Sequence, residues 1–173
     1  ALPVLGCVCV NAVTAGTGST KGRGITSPAD GIPQGDNFDI DYVVHEVGHQ
    51  LGGNHTFSMS NEGSGVNMEV GSGITIMGYA GITGQDVAPH SIDKYHAASI
   101  AQIQANLATK SCPVTTNISA NNATPVANAG LDYTIPKDTP FMLTGSATDA
   151  NAGDALTYSW EQYDNDAAAQ TDA

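Results

Sequence analysis

Basic residues are scarce in this chain: 5 lysines and arginines stand against 17 aspartates and glutamates, for a formal net charge of −12 over 173 residues. A surface of that sign repels phosphate backbones and anionic headgroups, which argues against nucleic acid or an anionic membrane as a partner. Long apolar runs are also lacking. None approaches the ~18 residues of a spanning helix, so membrane insertion is not expected. Cysteine is sparse: Cys7, Cys9 and Cys112 are too few for a disulfide scaffold. Without histidines nearby they do not suggest a cysteine zinc site either. The acidity is spread along the chain, with nine acids and four bases in residues 1–112 and eight acids and one base in 113–173. Most of it reads as solvated surface. Asp36/Asp39/Asp41 and Asp164/Asp166 are candidate Ca²⁺ ligands, because hard oxygen donors suit that ion.

Histidine is present in a pattern. Of five histidines, three fall within His45-Glu-Val-Gly-His49-Gln-Leu-Gly-Gly-Asn-His55. On a helix, His45 and His49 leave the same face one turn apart, with Glu46 beside them. Gly52 can take the left-handed conformation that ends a helix and turns His55 towards the same point. Three neutral imidazoles plus a water make a tetrahedral zinc site with an open position. The flanks predict the helix. Ile40, Val43, Val44, Val47 and Leu51 form an apolar stripe, with Tyr42, His45, Glu46 and His49 on the other side. Asp39 is the predicted N-cap, and Gly52 and Gly53 the predicted stop.

Every fixed position of H-E-x-x-H-x-x-G-x-x-H is filled, so the segment resembles the zinc peptidases of the metzincin type. Met77, in Gly73-Ile-Thr-Ile-Met-Gly-Tyr-Ala-Gly81, resembles the Met-turn that floors the metal in that group. Tyr79 stands two residues later, where some branches place a tyrosine that reaches the metal or the oxyanion. A buried tyrosine with one satisfied hydroxyl is an equal reading. From about Gly6 to Cys112 the chain is similar to reprolysin (adamalysin-like) metzincins, above all bacterial secreted ones.

That resemblance implies an α+β catalytic domain and Zn²⁺ held by His45, His49 and His55. It also implies Glu46 as general base and acid, and protein or peptide substrates. Val4–Val13 is a candidate substrate-pairing edge strand, or equally a buried one. A cysteine ending that strand pairs, in reprolysins, with one after the last helix. This implies Cys9–Cys112, with Cys7–Cys112 as the rival. Only 44 residues precede His45, too few for the N-terminal subdomain of such domains. The chain is therefore expected to be a fragment of a longer secreted precursor, with the peptidase domain partial in residues 1–112.

Residues 14–37 and 60–73 read as surface connections, with Glu69 a candidate to touch the site or a calcium ion, though a solvated loop carboxylate is the better reading. Ser91–Leu107 reads as a helix, and His90 and His96 as surface or interface residues. Residues 113–124 are Thr-, Asn- and Ser-rich and read as a linker. Residues 125–173 resemble the start of a PKD-like, immunoglobulin-type all-β sandwich, truncated. The resemblance is carried by Pro125–Gly130, Leu143–Asp149 and Asp154–Trp160. Strands are predicted at Asp132–Ile135, Phe141–Ser146 and Leu156–Tyr163, with Trp160 in the core. Its implied role is spacing, or binding of polymeric or cell-surface substrates. The overall expectation is an extracellular zinc endopeptidase. The alternative is a latent or inactive peptidase fold acting as a binding or adhesion module.

Overall fold

A computed structural model describes residues 25–110, 116–118, 120 and 122–165. The Val4–Val13 strand, both cysteine pairings and Asp166 lie outside these residues. The chain divides into two compact units, Ala1–Pro113 with Glu161–Ala173, and Val114–Trp160.

In the first unit a right-handed helical run starts after Gly35, whose φ of 85° breaks the extended chain before it. The run comprises a short α1 (Asp36–Phe38), a π-helical turn (Asp39–Val44) and α2 (His45–Leu51). Asp39 is thus inside the run and is not its N-cap. The apolar stripe also fails as a packing guide: Val43 and Val47 are exposed, while Tyr42, His45, Glu46 and Gly48 are buried. The i→i+5 bonding of the π turn departs from the 3.6-residue period on which the stripe was drawn. In addition, Gly48 lets the opposite face approach Met77 and Tyr95. The stop is as expected, with Gly52 left-handed at φ 106° and its N–H on the carbonyls of Gly48 and His49.

Helix α3 (Ala97–Ala108) starts later than its apolar period suggested. Residues 91–96 are engaged elsewhere: Ile92 N–H donates to Ile74 O at 2.8 Å, and Ile76 N–H to Lys94 O at 3.0 Å. His96 then caps the helix, its Nδ1 accepting from Ala98 N–H at 3.1 Å. Helix α3 braces the end of α2. Asn106 Nδ2 donates to Leu51 O at 2.5 Å, and Gln102 Oε1 accepts from Asn54 N–H at 2.9 Å.

Between α2 and α3 the chain is irregular and held by polar contacts. The second half of the 60–73 connection is buried, not a surface loop. Val66 and Met68 pack with Ala98, and Asn67 donates to Phe57 O at 2.7 Å. An isolated bridge joins Phe57 to Glu69. Buried backbone needs partners, and here irregular backbone pairs such as Ser58 N–H to Glu69 O at 2.8 Å and Tyr79 N–H to Ser72 O at 2.7 Å supply them, with side chains adding to the set.

The second unit holds a two-stranded antiparallel sheet, β1 (Val126–Asn128) with β2 (Ser146–Thr148), in register Val126↔Thr148. Of the predicted runs, only Ser146 lies in a strand. β-Prone composition supplies a face, but a strand also needs a hydrogen-bonded neighbour. Trp160 is half exposed, not a core residue, and its ring lies against Gly145.

Candidate metal centre

Three imidazoles converge. His45, His49 and His55 each offer one nitrogen, all within 4.8 Å of one another. Helix α2 supplies the first two from one face, and the left-handed turn at Gly52 returns the chain so that His55 meets them. Nε2 of His49 and Nε2 of His55 are 2.9 Å apart.

Each ring is held through its other nitrogen. His45 Nδ1–H donates to Ile76 O at 2.6 Å, and His49 Nδ1–H to Gly53 O at 2.8 Å. His55 Nδ1–H donates to Glu62 Oε2 at 2.9 Å. Carbonyls and carboxylates only accept, so the proton sits on Nδ1 and Nε2 keeps its lone pair for a metal. The rings favour the neutral state that ligation requires. Burial, then His49 and His55, pushes His45 down to about 3. Burial, then His49, brings His55 to about 3, and burial also lowers His49.

Glu46 is buried beside them. Burial lifts its carboxyl to about 7, and Oε2 has no hydrogen-bond partner in the protein. A buried oxygen without a partner costs about 1–3 kcal/mol unless a water, an ion or a ligand meets it. Among such atoms of the described residues, Glu46 Oε2 is the one on a residue that lines a cleft with the histidines. The donor set fits zinc: three neutral nitrogens on a short helix and turn, with a carboxylate beside them.

Met77 is fully buried beneath α2, where its sulfur faces the gap left by Gly48. The turn is tight, with Gly78 N–H donating to Thr75 O at 2.8 Å. The Tyr79 ring lies 4.6 Å from that of His55 and 5.7 Å from that of His45. Burial, then Glu62 and Glu46, raises its hydroxyl to about 12, so it remains a proton donor. Asp41, Tyr42, Glu46, Tyr79 and Ile82 line the small cleft with the histidines.

The other two histidines do not join the triad. His96 is buried, contrary to its surface reading, and its Nε2–H donates to Gln162 O at 2.9 Å. His90 is exposed and bonds Ser91 O. Among the described residues the three histidines are the one group of three or more His, Cys, Asp or Glu side chains whose donor atoms converge, and Asp36, Asp39 and Asp41 do not converge in this way. Sequence reasoning missed Glu62, seven residues beyond His55 in a connection with no periodicity. It also missed that Glu69 is buried.

A family model for reprolysin-like metallopeptidases of family M12B matches residues 3–107, well over half of the chain. The chain belongs to that family. Peptidases of family M12 are zinc-dependent and act on proteins or peptides, which agrees with a histidine triad on this stretch of a reprolysin-like domain. Residues 108–173 lie beyond the match. No curated protein and no solved structure gives a significant match.

Proposed function

We propose that the chain is part of a secreted metzincin that hydrolyses internal peptide bonds with zinc held by His45, His49 and His55. The observation that carries this is the Nε2 lone pairs meeting beside the unpartnered, buried Oε2 of Glu46. When bound, zinc supplies Lewis acidity that polarises a carbonyl and acidifies water towards a pKa of ~7.

The protein's own groups do the rest. Glu46 Oε2 takes the proton of the attacking water and, from the same position, delivers it to the leaving amine. In the metal-free chain burial raises this carboxyl, and with zinc beside it the group returns towards the ionised form that accepts a proton. Tyr79 donates a hydrogen bond as negative charge grows on the scissile oxygen, a role its ring beside those of His45 and His55 supports. Met77, under α2, floors the centre. The second unit acts as a PKD-like spacer or as a site for polymeric or cell-surface substrates.

Incubation with a quenched-fluorescent peptide library tests the reading. Cleavage at internal bonds that stops with a chelator and returns with zinc is expected. One zinc per chain without cleavage, in this chain and in longer forms that include it, would replace the reading with a latent or binding role.

A further inference from the structure

Glu69 is a buried carboxylate that the proposed chemistry does not use. Its two oxygens take four hydrogen bonds. Oε1 accepts from Ile74 N–H and Thr75 N–H, each at 3.0 Å. Oε2 accepts from Thr75 Oγ1–H at 2.6 Å and, more closely still, from Thr56 Oγ1–H. These four donors match a carboxylate's four lone-pair sites, from two segments far apart in sequence. The segments matter for where they lead. Thr56 directly follows His55, and its N–H donates to Met77 O at 3.0 Å. Ile74 and Thr75 open the turn whose next residue, Ile76, presents the carbonyl that holds the His45 ring.

One carboxylate therefore fixes the backbone that carries one imidazole and the backbone that orients another. Its main chain joins in, with Glu69 N–H donating to Thr56 O at 2.8 Å. The turn is shaped around it: Gly73 has φ 70°, and a Cβ there would sit 3.0 Å from Glu69 Cβ and Oε2.

We propose that Glu69 is a positioning residue that clamps the His55 segment to the methionine turn, so that the His45 and His55 rings are held in register for zinc. This rests on the metal reading above. Groups that bond the ligand rings directly cost about 10–100-fold in metal affinity when removed, and a clamp one step further out should cost about 10-fold or less.

The test is the zinc dissociation constant of the full chain, by chelator competition well below its unfolding temperature, with the absorption spectrum of the Co²⁺-loaded form beside it. Glu69→Ala is expected to weaken zinc measurably, by up to about 10-fold, and to alter the cobalt spectrum. Glu69→Gln keeps one oxygen for the two backbone N–H groups and offers its amide to hydroxyls that can turn to accept, so it should rescue most of the affinity. If Glu69→Ala does not fold, Thr56→Val and Thr75→Val each remove one clamp bond at nearly constant shape, and their combination should weaken zinc more than either alone. An unchanged zinc constant and cobalt spectrum in folded Glu69→Ala, or in the double valine variant, would overturn the proposal. That result would leave Glu69 a stabilising group alone. Zinc binding by the wild type without peptide cleavage would defeat the peptidase reading, and the comparison of constants would still decide for or against Glu69.

Discussion

Replacing Gly48 with alanine sets two effects of known size against each other. By helix propensity alone the change should stabilise by about 0.8–1.0 kcal/mol, since glycine is the poorer helix former. Packing opposes it. A Cβ at Gly48 would lie 2.9 Å from Tyr95 Cε1 and 3.2 Å from its Oη, and closer still to the Met77 sulfur. Neither neighbour can yield easily. Tyr95 Oη–H is bonded to Val44 O at 2.7 Å, and Met77 is fully buried. Overpacking a filled site costs about 1–3 kcal/mol, and with both neighbours pinned the upper half of that range applies. The net expectation is a loss of about 1–2 kcal/mol, or about 4–8 °C in the melting temperature of a unit this size. Scanning calorimetry of the chelated chain reads it. A melting temperature raised by the amount propensity predicts would mean that α2 does not rest on Met77 and Tyr95, and the floor beneath the centre would have to be redrawn.

Other consequences concern the ligands. Glu62→Ala removes the acceptor for His55 Nδ1–H, so zinc retention against a chelator should weaken by about 10-fold or more. Equal retention would show that His55 needs no such partner. In the metal-free chain, burial leaves His45 and His55 at about 3, below the ordinary 6.5. The fold favours the neutral rings, so their contribution to stability is complete above pH 6.5 and is lost as pH falls from 6.5 towards 3. Glu46, raised from 4.5 to about 7, works the other way, its ionisation costing stability as pH rises through that window. Two histidines outweigh one carboxyl, so the melting temperature should drop on acidification from pH 7 to 4. A flat profile would contradict the neutral-ring description.

How much of this was legible in the sequence depended on distance along the chain. His45, Glu46, His49 and His55 lie within eleven residues, and helical geometry with one left-handed glycine brings them together. The groups that hold those rings were not legible. Ile76 serves through its carbonyl, which every residue type has, and it lies 31 positions from His45. Glu62 and Glu69 sit in stretches without periodicity, where a carboxylate reads as solvated until its partners are known. The start of the helical run was misplaced because Asp39 is a good capping residue in composition, yet Gly35 upstream is the one with the chain-breaking φ. The late start of α3 has a similar origin, since the tie between Ile76 and Lys94 takes up residues that were periodic enough to be helical. In the second unit, a PKD-like resemblance and β-prone runs implied a sandwich, while the described residues pair only β1 with β2.

The central claim is that Glu46 moves the proton at a zinc centre held by three histidines. The most direct measurement is kcat/KM for one cleaved peptide, comparing the wild type with Glu46→Gln at matched zinc content. The amide keeps the shape of the carboxylate but cannot accept the proton. Removing a positioned general base costs about 10²–10⁴-fold, so a loss of that size with zinc retained is expected. Turnover equal to the wild type, at the same zinc content, would remove Glu46 from the reaction and contradict the account.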